Sequence, residues 1–338
     1  MPTTMTAVVA RRYGPPGELR VEDLPVPRPG PGQIQVRVRA ASVNPADVWN
    51  LSGVMRDLLP LAFPLVPGGD FAGTVTETGA GVTRFAVGEE LFGVGFPRTM
   101  AEIAGRVSAP PSLSTGSSAE YAVFEADTPA LAVRPPELAA EHAATLSTVG
   151  LAALAMFRAG GFRAGETVLV VGATGGVGGV AIPLLAAAGA HVIATALPED
   201  ERYVRELGAA EVIDYRSADP VAETLRLHPG GVDALVSLVL PGDRLTEASR
   251  VLRPNGRVIR FATPNFAPTE LRSDLRDVGF HAFAHPGDLD RLAAAAAGGT
   301  LPCTISRRYL LKEGPRAYAD LAGRHTRGKL VIVMPDSA

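Results

Sequence analysis

The run Thr167-Val-Leu-Val-Val171, followed by Gly172-Ala-Thr-Gly175-Gly176-Val-Gly178, constrains this chain more than any other stretch. An uncharged, β-prone run bounded by glycine reads as a buried parallel strand. The glycines make a tight turn. An apolar helix follows from about Val177 to Ala188, and a second buried strand covers His191–Ala196. Such a strand–turn–helix–strand unit has the length and glycine placement that a dinucleotide site needs. Glycine backbone lets a pyrophosphate approach closely, and the helix N-terminus offers free N–H groups and a positive dipole end. The candidate binding residues are Gly172, Ala173, Thr174, Gly175, Gly176 and Val177. The bland alternative is a unit of the same shape that binds nothing. Residues 167–197 are also long and uncharged enough to suggest a membrane span. Their glycines and Pro183 suit a turn and a short helix instead.

A length of 338 residues accommodates two domains. The net charge of −3 leaves no basic surface for nucleic acid or anionic lipid, so neither is expected as a partner. The N-terminal segment has no basic stretch leading into a long apolar core, and a cytoplasmic protein is expected. Cys303 is the only cysteine, which excludes an intrachain disulfide and any multi-cysteine zinc site. Cys303 itself reads as a small buried apolar residue. The histidines His142, His191, His228, His281, His285 and His325 show no ligand spacing along the chain, and no metal is expected.

Residues 1–133 read as mostly β, with strand character at Thr6–Arg11, Leu19–Leu24, Ile34–Val43, Gly73–Thr78 and Ala119–Val123 between Pro- and Gly-rich turns. Residues 134–163 shift to helix, with one helix opening at Pro135-Pro136 and its neighbours and a second at Gly150–Ala159. Residues 165–262 alternate strand and helix, with later strands at Glu211–Ile213, Ala234–Leu240 and Gly256–Ala262. Beyond them come a helix at Asp288–Ala297, a strand at Thr304–Leu310, a helix at Pro315–Ala322 and a strand at Lys329–Met334. The segment Phe96–Ser118 is longer than an ordinary connection and reads as a lid, an oligomer contact or a surface insert.

Several motifs together resemble the medium-chain dehydrogenase/reductase superfamily, in its zinc-independent quinone oxidoreductase (zeta-crystallin-like) branch. They are Ala41-Ser-Val-Asn44-Pro45-Ala-Asp47, Pro67-Gly-Gly-Asp-Phe-Ala-Gly73, Gly79-Ala-Gly-Val-Thr-Arg-Phe-Ala-Val-Gly88, Ala119-Glu-Tyr-Ala-Val123, Arg205-Glu-Leu-Gly208 through Tyr215, and the tail Arg327-Gly-Lys-Leu-Val-Ile-Val333. The resemblance implies an α/β protein: a GroES-like β-rich catalytic domain, residues 1–133 and 286–338, plus a Rossmann doubly wound parallel-sheet domain, residues 134–285. It implies a reductase that passes hydride from NADPH to a quinone or an α,β-unsaturated carbonyl. A biosynthetic enoyl or polyketide-intermediate reductase, or a non-catalytic dinucleotide-binding protein, are the alternatives. The partners expected are that small-molecule substrate and a second copy of the chain in a homodimer.

Where zinc-dependent relatives carry a cysteine and a Gly-His-Glu motif, this chain has Asn44-Pro45 and Gly68-Gly69-Asp70, so the zinc ligands are missing. By resemblance Asn44 sits beside the nicotinamide and is the catalytic candidate; read locally, it is only a turn asparagine before proline. Trp49 and Met55 stand where relatives carry tyrosines. They would line a broad apolar substrate pocket, or else merely fill core. An NAD site commonly has an acid at the end of its second strand. Thr195-Ala196-Leu197 has none, which favours NADPH, with Arg202, Tyr215 and Lys329 as candidates for the 2′-phosphate. Glu199, Asp200 and Glu201 crowd that loop with negative charge. Phe261, at the end of a later strand, completes the cofactor candidates.

Overall fold

Short strands between Pro- and Gly-rich turns early in the chain, and strands alternating with helices later, produce two kinds of sheet in the computed structural model, which describes residues 3–57, 60–96, 116–263 and 266–335. In chain order the elements are β1 (Thr4–Val9), β2 (Arg20–Pro25), β3 (Gln33–Ser42), α1 (Pro45–Ser52), β4 (Asp70–Thr78), β5 (Glu90–Val94), β6 (Tyr121–Glu125), β7 (Leu131–Val133) and α2 (Ala140–Gly160). Then follow β8 (Thr167–Val171), α3 (Gly176–Ala187), β9 (His191–Ala196), α4 (Glu201–Glu206), β10 (Glu211–Asp214), α5 (Pro220–Leu227), β11 (Val232–Ser237), α6 (Gly242–Ala248), β12 (Leu252–Phe261) and β13 (Arg276–Phe280). The chain closes with α7 (Asp288–Ala297), β14 (Ile305–Leu310), α8 (Gly314–Gly323) and β15 (Lys329–Val333). Contacts divide it into two units: Met1–Thr148 with Ala284–Gly298 and Ile305–Ala338, and Val149–Phe283 with Gly299–Thr304.

In the first unit, β1 and β2 form an antiparallel pair, and a seven-stranded sheet runs β14-β15-β3-β4-β5-β7, with β6 also pairing β3. Its core includes Ile34, Val36, Phe71, Leu91 and Phe124, all fully buried. Burying each such side chain contributes about 1.5–3 kcal/mol. The register matters for function. Ser42 lies opposite Asp70 on β4 and opposite Val331 on β15. The amide of Val43 donates to the carbonyl of Leu330 at 3.1 Å. The C-terminal strand is thereby laid against the end of β3, next to Asn44.

In the second unit the sheet is wholly parallel, in the order β10-β9-β8-β11-β12-β13. Numbered from β8, this is the 3-2-1-4-5-6 order of doubly wound dinucleotide-binding sheets, in which ligands lie beyond the carboxyl ends of the strands. Leu169, Ile193, Leu235 and Val258 fill its core. Arg257 on β12 forks onto both carboxylate oxygens of Glu166, at 3.1 and 2.5 Å, and donates to the carbonyl of Gly160 at 2.7 Å, tying the start of β8 to the end of α2.

Three local expectations change. The residues 134–159 read as two helices, yet α2 runs unbroken through Gly150, because a glycine packed inside a buried helix costs only about 1 kcal/mol. Helix α1 and strands β5, β7 and β13 were not expected. Among the described residues, α2 alone is long and apolar enough to cross a membrane, but 72% of its most apolar window is buried in the protein, as in a core helix. Residues 97–115, most of the long segment, lie outside the described residues.

Candidate active site

The glycine turn opens the second unit's candidate site. Gly172 has φ +90°, a left-handed conformation that favours glycine. A Cβ on Gly178 would lie 2.3 Å from the carbonyl oxygen of Ala173, so this residue allows α3 to pack close against the turn. A Cβ on Gly175 would meet nothing nearer than 3.6 Å. Gly175 is also the N-cap of α3, and no side chain caps the helix there. An open backbone face at an uncapped helix N-terminus fits a pyrophosphate. Gly172, Gly175, Gly176 and Val177 are half-buried around it, while Ala173 and Thr174 are buried.

Other cofactor candidates lie at the carboxyl ends of neighbouring strands. Thr195, near the end of β9, is 4% exposed, and its hydroxyl turns inward to the carbonyl of Val170 at 3.4 Å. Tyr215, just after β10, is exposed. Arg202 is exposed and pairs with Glu206. The acids of this loop have local partners: Glu199 is 3.3 Å from Arg216, and Glu201 is 2.8 Å from Arg205. Phe261, last residue of β12, is half-buried and packs against Phe280 with ring centroids 4.6 Å apart.

The first unit holds a buried polar cluster around Asp70. One oxygen of Asp70 accepts from the Ser42 hydroxyl and the Asn44 side-chain amide, each at 2.8 Å. The other accepts from the Thr148 amide at 3.0 Å and the Thr148 hydroxyl at 2.6 Å. The ammonium of Lys329 lies 3.6 Å from Asp70, donates to the carbonyl of Val43 at 2.9 Å, and donates to the side-chain oxygen of Asn44. Asp70 is 0% and Lys329 5% exposed. Burial lowers the Lys329 pKa, and the negative charges of Asp70 and Asp47 work against that. Lys329 therefore needs correcting as a candidate for the 2′-phosphate. It is buried in the first unit with three protein oxygens around it, and a charge so enclosed is unavailable to a ribose phosphate.

Asn44 also corrects the reading as a simple turn. It is the N-cap of α1, with Pro45 at the first helical position, and its amide donates to the carboxylate of Asp47 at 2.8 Å. The spacing Asn-Pro-x-Asp carries that signal in the sequence itself. Desolvation raises the pKa of Asp47 to about 7, with the charge of Asp70 adding to it. Nearby, the hydroxyls of Tyr318 and Ser118 are 2.7 Å apart. Burial first, then Asp47, drives the Tyr318 pKa well above its usual value. The Ser117 hydroxyl is buried without a hydrogen-bond partner. Asp70, Thr148, Ser118 and Tyr318 were not singled out as site residues. Trp49, on α1, is 39% exposed, and Met55, in the turn that follows, is half-buried. Neither belongs to the buried core.

The side chains bonded around Asp70 and Asn44 do not fit a catalytic zinc. None is cysteine or histidine, and the Lys329 ammonium already supplies the cluster's cation.

Residues 30–135 match the alcohol dehydrogenase GroES-like domain, and residues 207–332 match the zinc-binding dehydrogenase family. The chain is 30% identical to the chloroplast envelope quinone oxidoreductase homolog of Arabidopsis thaliana, over 91% of this chain and 92% of that protein. The chain belongs to the medium-chain dehydrogenase/reductase superfamily, in its quinone oxidoreductase branch. The quinone oxidoreductase from Coxiella burnetii superposes on this chain with a TM-score of 0.84 at 28% identity, covering 98% of this chain and all of that one. The spectinabilin polyketide synthase system protein NorB of Streptomyces orinoci is 33% identical over 88% of this chain, but over only 13% of its own length. Membership makes the protein an oxidoreductase that uses NAD or NADP on a small-molecule substrate.

Proposed function

We propose that this reductase uses NADPH to reduce a quinone or an α,β-unsaturated carbonyl without a catalytic metal. The observation that carries the reading is Asn44: buried, fixed at the N-terminus of α1, and bonded on both ends of its amide by Asp70 and Lys329. A side chain held this firmly is a positioned polar group rather than a solvated turn residue. When bound at the glycine turn, the dinucleotide supplies a hydride. Asn44 orients the reacting groups. Trp49 and Met55 supply apolar surface for a flat substrate. The tyrosine hydroxyls of relatives are absent at those two positions, so the proton that completes the reduction comes from water or from a substrate hydroxyl.

The preference for NADPH is supported by the acid-free end of β9 and by the exposed Tyr215 and Arg202 nearby. Pairing of Glu199 and Glu201 with arginines relieves their repulsion toward a phosphate. Fluorescence titration with NADPH and NADH tests this, and tighter NADH binding overturns it. The second reading, an enoyl reductase of polyketide-type intermediates, draws on the likeness to NorB. Turnover of a simple quinone with no reduction of an enoyl thioester favours the first reading; the reverse pattern favours the second. The branch's resemblance also supports a homodimer, which sedimentation equilibrium reads directly.

A further inference from the structure

We propose that His191, Glu211 and His228 form a binding site for a divalent transition-metal ion, zinc foremost, in the second unit. The histidines are 37 residues apart and show no ligand spacing in the sequence, but the fold closes the gap. β9 and β10 are parallel neighbours with Ile193 opposite Glu211, so His191 and Glu211 both open their strands at the amino end of the sheet. His228 is the C-cap residue of α5, the helix that follows β10.

The three side chains converge on one atom. Nε2 of His191 is 2.5 Å, and Nε2 of His228 is 3.0 Å, from the same Oε1 of Glu211. The donor atoms all lie within 4.8 Å of one another, and the imidazole rings stand edge to face with centroids 5.7 Å apart. Two imidazoles and a carboxylate are the donor set of open zinc sites. Bonds of 2.0–2.1 Å at a tetrahedral angle put donors roughly 3.3 Å apart, so the His191–Glu211 pair needs to open by less than about 1 Å.

A second observation points to a ligand independently. Oε2 of Glu211 is buried and has no hydrogen-bond partner. Such an orphan costs free energy that the histidines, both on the other oxygen, do not relieve. An ion chelated by both oxygens of this carboxylate would satisfy it. The His191 side chain is 42% exposed, which gives the ion an entry path and leaves room for a water ligand. The site opens at the amino ends of the strands, whereas the glycine turn lies at the carboxyl end of β8. The ion would therefore clamp β9, β10 and α5 together and take no part in hydride transfer.

The test uses the full chain, stripped with a chelator and titrated calorimetrically with zinc chloride. The cobalt(II) form is read by its visible absorption. Wild type should bind a single zinc, show a tetrahedral cobalt spectrum, and melt at a higher temperature with zinc than without. His228→Ala and the near-isosteric Glu211→Gln should each lose at least about a hundredfold in zinc affinity, more than removal of an outer-shell partner costs. Both should keep wild-type dinucleotide affinity. No zinc binding by wild type, or binding undiminished in both variants, overturns the proposal. If His228→Ala fails to fold, Glu211→Gln carries the decision alone.

Discussion

The glycine turn and the Asn44 cluster are both candidate binding features, yet they are built from opposite kinds of contact. The turn is contiguous: residues 172–178 shape it through backbone conformation and the absence of side chains. The cluster draws Ser42, Asn44, Asp70, Thr148 and Lys329 from across the chain, and it holds buried charge. At its open position, Gly175, the turn tolerates a local change, because a new Cβ there meets nothing nearer than 3.6 Å. A charge cluster is coupled, so removing one member leaves another buried and uncompensated.

The sharpest break of this comparison is Gly175→Asp. There is open space for the new Cβ, so the variant should fold with wild-type circular dichroism. It should nevertheless lose dinucleotide binding by at least about a hundredfold, since a carboxylate would occupy the anion's place at the helix end. Retained affinity in a fluorescence titration would show that the turn is not the pyrophosphate site.

The cluster should behave in the opposite way. Asp70→Asn or Lys329→Met alone should destabilise the protein by about 3–5 kcal/mol in urea unfolding, because each leaves its partner's charge buried. The double variant should recover a large part of that loss. Additive losses would mean that the two charges do not compensate each other.

A smaller effect separates positioning from surface. Asn44→Ala should lower kcat with a quinone by about tenfold or more, whereas Trp49→Ala should chiefly raise KM for bulky aromatic substrates. Wild-type constants in both would remove α1 from the active site.

A pH-dependent effect concerns Asp47. Its pKa in the folded protein is raised from 3.8 to about 7. Between those values the folded state binds more protons than the unfolded one, so this group's contribution to stability falls as pH rises from about 4 through about 7. Asp47→Asn should remove that component. The difference in unfolding free energy between wild type and variant should therefore shift in favour of the variant as pH rises. A pH-independent difference would place the Asp47 carboxylate in ordinary contact with water.

Legibility followed the range of the interactions. The parallel strand β8, the turn and helix α3 were readable because uncharged runs and glycines report buried backbone directly. Most strands of the first unit were readable to within a few residues, but β5 and β7 were missed. Helix α1 was missed although Asn44, Pro45 and Asp47 encode its start, because Asn-Pro also encodes a turn. The partnership of Asn44 with Asp70 and Lys329 could not be read locally. It depends on β15 returning to pair with β3, and Lys329 alone reads equally well as a surface phosphate contact.

By itself, the sequence determined the two classes of sheet, the glycine turn and the branch of the superfamily. These rest on residue types and short spacings, which survive in one dimension. Only the tertiary structure decided that Lys329 neutralises Asp70 rather than facing solvent, that Thr195 turns its hydroxyl inward, and that His191 and His228 meet on one oxygen of Glu211. Each of these depends on which strands and helices become neighbours, and burial changes the energy of a charge or a polar atom far more than its place in the sequence can reveal.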